Sequence, residues 1–311
     1  MEQTSLLEKA RKAYLRKIIV VIVLSIAFIS IIICCGITIY ASQNTKSIRE
    51  FSSLLPYLIF GFVVGIGIYN SIIVQKAKRN YRSQYKAYFV RPAMEKTFSN
   101  LHYNHEASMS RALIDEAGAL DTRDRFTSND YATGEYKEVY FAQADIKIEE
   151  KYEGDDGESY HTVFKGRYMI FEFPKQFNFR LKIVQKHFGG PQKITFGKRD
   201  RKFNRISTES NTFDEKFRVY AQDGFEAYYI LSPDLMERIE SLSGRMKGKL
   251  LLYFVDKKLH IAIKDNADSL EPPKPFRPIN EARELSRVTQ EIKVITDFVE
   301  YLKLDSKLFK N

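Results

Sequence analysis

The sequence predicts an α+β protein, with an N-terminal transmembrane helical hairpin followed by a β-rich cytoplasmic domain that has a C-terminal helix. Three observations support this fold class. Two long apolar runs lie near the N-terminus, short strand-like segments follow from about Tyr136, and apolar residues near the C-terminus recur at steps of three and four. The chain has 311 residues, of which 44% are hydrophobic. It is therefore large enough for a core and too apolar for a disordered protein.

The two apolar runs have the length of membrane spans. Residues 18–40 and 54–74 carry no charged side chain, and about 20 apolar residues suffice for a helix to cross the hydrocarbon layer. The first run exceeds the apolar core of a cleaved signal peptide, which has roughly 7–15 residues. We therefore expect an uncleaved anchor, in which Cys34 and Cys35 act as small packing residues.

Most of the net charge of +10 flanks these spans. Residues 1–86 contain 12 basic and 3 acidic side chains. The distribution of Lys and Arg predicts both termini in the cytoplasm, with the protein as a multi-pass membrane chain. The predicted flanking cations are Lys9, Arg11, Lys12, Arg16, Lys17, Lys76, Lys78, Arg79, Arg82 and Lys86.

The rest of the chain is nearly neutral, so a nucleic-acid partner is not expected. Its charges are nevertheless segregated, because residues 106–158 hold 6 basic and 15 acidic side chains and residues 175–205 hold 10 basic and one acidic. The basic segment suits an anionic membrane surface or an acidic protein partner. The simpler interpretation is a solvated loop, or a contact with the acidic segment of the same fold. The candidate residues for an anionic surface are Lys198, Arg199, Arg201, Lys202 and Arg205.

Turn residues and periodicity divide the soluble part into elements. Helices are predicted over residues 107–120 and from Pro233, which follows the N-cap residue Ser232. A long hairpin with an acidic tip is predicted over residues 136–173, and a tight turn at 256–258 between two strands. Further strands are expected at 179–184, 194–196, 217–220 and 227–231.

The predicted organisation has eight parts. The terminal helix carries a seam of apolar residues that packs on its own domain or forms a coiled coil, and Gly61 with Gly65 offers a second surface for a homo-oligomer. The parts are a basic N-terminus (1–17), span 1 (18–40), an outer loop (41–53), span 2 (54–75), a helical stalk (76–106), the α+β domain (107–270), a Pro-rich connector (271–280) and the C-terminal helix (281–311).

No motif assigns a reaction, a cofactor or a metal. Both cysteines lie in the membrane, so the soluble part has no thiol nucleophile. His102 and His105 lack the order of helical zinc motifs, and the segment 244–249 is one residue shorter than a P-loop and has Leu250 in place of its hydroxyl residue. The sequence therefore leaves the enzyme question open and names no catalytic residue.

The order of several short motifs resembles the bacterial family named domain of unknown function 3137. The pieces include Asp130-Tyr131, Gly134 with Tyr136, and the run Phe164-Lys165-Gly166-Arg167. Others are Tyr85-Lys86-Ala87-Tyr88-Phe89-Val90, Phe217-Arg218-Val219-Tyr220 with Asp223, Leu231-Ser232-Pro233 and Leu259-His260-Ile261-Ala262-Ile263. The resemblance implies a membrane-anchored architecture and brings no activity and no catalytic residues.

The sequence thus predicts an inner-membrane protein whose cytoplasmic domain binds a protein partner or the anionic membrane surface. One alternative is a membrane-tethered hydrolase or transferase that uses acidic residues. Another is an accessory subunit of a membrane transport complex. Conduction by this chain alone is not expected, because neither span holds an ionisable acid or base at mid-depth.

Overall fold

A computed structural model describes residues 2–41, 46–154, 157–189, 203–222, 227–228, 230–306 and 309. The chain divides into two units. The first comprises Met1–Phe89 and Glu271–Glu281, and the second comprises Val90–Leu270 and Ala282–Asn311. The structure is thus mixed helix and sheet, as the sequence predicts, with two apolar N-terminal helices and a C-terminal helix.

The first unit consists of long helices. Helix α1 is Glu2–Ala41 and α2 is Lys46–Tyr69; a π-helical segment, Asn70–Val74, joins α2 to α3, Gln75–Tyr85. Phe28 of α1 stacks on Phe62 of α2 with ring centroids 3.7 Å apart, and Tyr14 of α1 lies 6.1 Å from Tyr81 of α3. The two halves of the predicted hairpin therefore pack side by side.

The helical stalk is shorter than predicted. A second π-helical segment, Lys86–Val90, leads into α4, Arg91–Thr97, which has Pro92 in its first turn. Proline is tolerated there because the first turn does not need its N–H group. Residues 99–104 then form strand β1, Ser99–Asn104, where the sequence predicts the end of the stalk.

The second unit is built on an antiparallel sheet. Its strands are β1, β2 (Arg125–Tyr136), β3 (Val139–Gly154), β4 (Gly157–Gln185), β5 (Asn204–Ile206), β6 (Phe217–Ala221) and β7 (Lys249–Lys264). They follow the order β1-β2-β3-β4-β6-β5, and β7 also pairs with β4. The predicted hairpin corresponds to β3 and β4, which pair from Tyr140 and Glu172 out to Gly154 and Gly157.

The predicted turn at residues 256–258 is wrong. Strand β7 runs through these residues and pairs with β4 on both sides of them, from Gly166 opposite Lys264 to Val184 opposite Leu251. The register shifts where Asp256 adopts a positive φ of 52°, so the polar residues mark an irregularity within one strand. Two strands that the sequence predicts separately are likewise one continuous strand, β4, in the structure.

Two other predicted elements differ from the structure. Ala227, Tyr228 and Ile230 are helical where a strand is predicted, and the Leu231 N–H donates to the Ala227 carbonyl over 3.0 Å. The helix predicted over 107–120 is limited to α5, Arg111–Ala117. The strand predicted at 194–196 lies outside the described residues.

The remaining helices cover the sheet. They are α6 (Asn211–Lys216), α7 (Pro233–Arg245) and α8 (Glu281–Leu302). Ser232 caps α7 as predicted, because its hydroxyl accepts the Leu235 N–H over 3.3 Å. In α8, only Leu285 of the apolar seam is exposed. The other five residues of the seam are buried: Val288, Ile292, Ile295, Val299 and Leu302. The seam therefore packs within the chain, which removes the basis for the coiled-coil alternative.

Candidate functional site

The predicted flanking cations fall into two groups in the first unit. Lys9, Lys12, Arg16, Lys76, Lys78 and Arg79 are exposed, and Lys17 is half-buried. Arg11 and Lys86 are instead buried, with relative exposures of 5% and 1%, and Arg82 is half-buried. The first group is accessible to solvent, whereas the second group contacts other parts of the first unit.

The second group holds the Pro-rich segment. The Arg11 guanidinium donates to the Pro275 carbonyl and, through Nε, to Glu8 over 2.8 Å. Lys86 Nζ lies 2.8 Å from the Glu271 carboxylate, which also pairs with Arg82. The Tyr81 hydroxyl donates to the Pro273 carbonyl over 3.1 Å. Residues 271–280 form neither helix nor strand, as predicted, but they lie against these helices within the first unit.

The structure describes the predicted basic segment only in part, so its role as an anionic-surface site stays a prediction. Lys198, Arg199, Arg201 and Lys202 lie outside the described residues, and Arg205 is exposed on β5, opposite Tyr220 of β6. Lys182 belongs to the same run in sequence but is fully buried, and its ammonium donates to the Gly118 carbonyl over 2.8 Å. At least one of the ten basic residues is therefore a core residue.

Gly61 and Gly65 do not pack against the described part of the chain. A Cβ atom added at either glycine would meet nothing within 4 Å. Their use in a homo-oligomer remains a prediction.

A buried charged cluster lies in the second unit, where the sequence names no site. Asp145 on β3 is directly opposite Arg167 on β4, and both side chains are buried. The Asp145 Oδ2 atom accepts the Ser269 N–H over 3.0 Å. Burial raises the pKa of Asp145 well above its usual range, although Arg167 lowers it and Asp268 and Asp130 raise it further. Burial is the largest of these effects, so Asp145 holds a proton more readily than an exposed carboxylate does.

Asp130, which is part of the family-like motif, is the third carboxyl of this cluster. It is fully buried with a positive φ of 57°. Its carboxylate accepts the Tyr103 hydroxyl over 2.7 Å and the Asn129 amide over 2.7 Å. Asp130 is therefore a structural hydrogen-bond acceptor, and the register of β2 and β3 brings it near Asp145.

Arg167 connects the cluster to α8. One terminal nitrogen donates to the Glu291 carbonyl over 2.6 Å, and the other lies 3.0 Å from the Glu291 carboxylate. Preceding it, Gly166 sits so close to β7 that an added Cβ would lie 2.0 Å from the Ile263 carbonyl oxygen. This close approach brings Arg167 under α8, and it explains the glycine in the Lys165-Gly166-Arg167 motif.

A cavity of about 430 Å³ opens beside Arg167, between the end of α7, the end of β7 and α8. Its size falls within the range of small-molecule sites. The turn after α7, which superficially resembles a P-loop, forms part of the wall. Gly248 in this turn packs so closely that an added Cβ atom would lie 2.8 Å from the Lys264 carbonyl oxygen. The lining residues are Arg167, Arg245, Met246, Lys247, Ile263, Asp265, Ala267, Ser269, Gln290, Glu291, Lys293, Val294 and Asp297.

The cavity carries charges of both signs. Arg245 stacks on Tyr301, with its guanidinium carbon 4.5 Å from the ring centroid, and Lys247 and Lys293 are exposed. Asp265 accepts the Ala267 N–H over 2.9 Å, and burial raises the pKa of Asp297. The sequence gives no signal for this cavity, because its residues come from four separate stretches of chain.

A second buried polar group surrounds His260, the histidine of the last family-like motif. Its Nδ1 atom is 2.8 Å from the Tyr168 hydroxyl, and its Nε2 atom has no hydrogen-bond partner among the described residues. Burial, with smaller effects from Lys258 and Lys182, lowers the pKa of His260 to about 3. This imidazole is therefore neutral at physiological pH.

Comparison with known proteins identifies a family for part of the chain. Residues 162–304 match the model described as a protein of unknown function, DUF3137, which confirms the resemblance predicted from the motifs. No curated protein matches the chain. Among solved structures, the chain is similar to the mycobacterial trehalose monomycolate transport factor A, TtfA, at 10% sequence identity and a TM-score of 0.36. That alignment covers 70% of this chain and 93% of the other, and at this score it supports no conclusion.

Proposed function

We propose that this chain, a DUF3137 protein over residues 162–304, is anchored in the bacterial inner membrane and binds anionic lipid headgroups at the cytoplasmic surface. The observation that carries this proposal is the apolar surface of α1 and α2. In the apolar windows of these two candidate spans, 0% and 6% of the residues are buried. Soluble proteins rarely expose continuous apolar surfaces of this kind, so a bilayer is the fitting environment.

The orientation rests on the exposed cations. Six of them flank the cytoplasmic ends of the spans in this proposal: Lys9, Lys12 and Arg16 precede the first span, and Lys76, Lys78 and Arg79 follow the second. Residues 41–53, by contrast, contain Lys46, Arg49 and Glu50 as their charged residues. Lys and Arg are enriched on the cytoplasmic side of membrane proteins, which supports cytoplasmic termini.

Cysteine labelling tests the orientation. In a background with Cys34→Ala and Cys35→Ala, Ser42→Cys should react with an impermeant thiol reagent in intact cells. Lys257→Cys, an exposed position on β7, should react only after lysis. The reverse pattern, or labelling of Ser42→Cys only after lysis, would overturn the proposed topology.

Lipid binding has a separate test. Native mass spectrometry of the full chain in mild detergent should show more bound phosphatidylglycerol than phosphatidylcholine. Each cation near an anionic surface contributes about 1 kcal/mol, so a variant with Lys76→Gln, Lys78→Gln and Arg79→Gln should lose most of this preference. The control Lys257→Gln removes a cation that is remote in sequence from the spans and should keep it. Equal retention of both lipids by the wild type would contradict headgroup binding.

A further inference from the structure

The cavity between α7, β7 and α8 is not explained by membrane anchoring. It lies entirely in the second unit. Its walls are stabilised by the close approach of Gly166 and Gly248 to the backbone of β7 and by the hydrogen bonds between Arg167 and Glu291. A site built on helices and strands in this way keeps a defined shape. The charges of its lining indicate the class of ligand that it fits.

The cations of the cavity are only partly neutralised. Arg167 is paired with Glu291. In contrast, Arg245, Lys247 and Lys293 form no salt bridge with any residue that the structure describes. Arg245 is held in place by stacking on Tyr301. Three cations that line one cavity suit a group with several anionic oxygens, because Arg and Lys bind phosphate through charge-assisted hydrogen bonds.

The remaining carboxyl groups fit the other end of such a ligand. Asp265 uses Oδ1 for the Ala267 N–H, which leaves its second oxygen as an acceptor. Asp297 lies on α8 one turn after Lys293 and also lines the cavity. Carboxyl oxygens accept hydrogen bonds from hydroxyl groups, and Gln290 and Ser269 offer further polar contacts.

We propose that this cavity binds a small phosphorylated polyol, with Arg245, Lys247 and Lys293 on the phosphate and Asp265 and Asp297 on the hydroxyl groups. A cavity of about 430 Å³ accommodates a ligand of this class. The apolar side chains Met246, Ile263 and Val294 complete the lining and can contact the carbon skeleton. The inference does not depend on the membrane proposal, because all of these residues belong to the second unit.

Calorimetric titration of the full chain in detergent tests this inference with ribose 5-phosphate as the probe and ribose and inorganic phosphate as comparisons. We expect ribose 5-phosphate to bind at least about tenfold more tightly than either comparison, since each compound alone makes only part of the contacts. Replacing Lys247→Gln and Lys293→Gln together should weaken its binding by about tenfold or more. Asp297→Asn should weaken ribose 5-phosphate more than inorganic phosphate.

The matched control is Lys257→Gln, which removes an exposed cation of β7 outside the cavity and should leave binding unchanged. Absence of binding to wild type at millimolar concentrations of the probe would overturn the inference. So would equal binding by the wild type and the Lys247→Gln/Lys293→Gln variant. Thermal unfolding of each variant confirms that it is folded, so a loss of affinity is distinguished from a loss of structure.

Discussion

Asp145 and Arg167 lie directly opposite each other on β3 and β4, both buried, with Asp145 Oδ1 4.0 Å from Arg167 Nε. The terminal nitrogens of Arg167 are at the same time bound to Glu291 of α8. One guanidinium therefore joins two strands and a helix. A charge buried in this way is stable only while its partners remain in place.

Replacing Arg167→Leu should destabilise the second unit strongly. The change leaves the Glu291 carbonyl without its donor and the buried Asp145 carboxyl without its neighbouring cation, and loss of one partner of a buried pair costs about 3–5 kcal/mol. Thermal unfolding of the full chain in detergent, followed by circular dichroism, measures the loss. Arg218→Leu, an exposed position on β6, should change stability by less than about 0.5 kcal/mol. Equal melting temperatures of the two variants would show that Arg167 does not stabilise the second unit through these contacts.

His260 should make the fold sensitive to acid. Its pKa is about 3 in the folded chain and 6.5 as the ordinary value, so between these values the unfolded chain binds a proton that the folded chain does not. Stability therefore falls as the pH drops from about 6.5 to about 3, by at most about 5 kcal/mol. Above pH 6.5 this contribution is fully present and constant.

The variant His260→Gln should flatten this part of the stability profile, because glutamine does not titrate and can still bond to the Tyr168 hydroxyl. Melting temperatures measured from pH 4 to pH 8 provide the comparison. His161→Gln removes an exposed histidine and should retain the slope of the wild type. Parallel profiles for wild type and His260→Gln would mean that another group causes the acid sensitivity.

Local patterns account for the parts of the fold that the sequence predicts. Uncharged runs predict α1 and α2, the turn residues at 154–157 predict the β3–β4 hairpin, and apolar spacing predicts α8. Each of these depends on residues close together in the chain. In contrast, the continuity of β7 depends on its pairing with β4, so the polar residues 256–258 suggest a turn that the structure does not have.

The candidate site could not be predicted for the same reason. Asp145, Arg167 and Lys182 have the same residue types as surface charges, and only the strand register shows that they are buried. The family-like motif did point to Arg167 and to the preceding glycine, although it offered no role for either. The cavity beside them needs residues from β4, α7, β7 and α8, which no local pattern connects.

Three glycine substitutions should follow a graded order. Gly244→Ala in α7 meets nothing within 4 Å and should stabilise the helix by about 0.5–1 kcal/mol. Gly248→Ala places Cβ 2.8 Å from the Lys264 carbonyl, and Gly166→Ala places it 2.0 Å from the Ile263 carbonyl. We expect Gly166→Ala to be the most destabilising, by about 3 kcal/mol or more, since β7 must shift. Melting temperatures in any other order would contradict the close packing at β7.

The Pro-rich segment should depend on Glu271. This carboxylate pairs with Lys86, which is 1% exposed, and with Arg82 in the same unit. Glu271→Gln removes one counter-charge of the buried ammonium, and because Glu271 itself is partly exposed we expect a loss of about 2–3 kcal/mol. Faster proteolysis within residues 271–280 of the detergent-solubilised chain would report the release of this segment.

Glu95→Gln removes the partner of Arg91 in an exposed pair and should leave the cleavage rate unchanged, because such pairs contribute about 0–1 kcal/mol. If both variants were cleaved at the rate of the wild type, the ion pairs of Glu271 would not be what holds the segment against the helices.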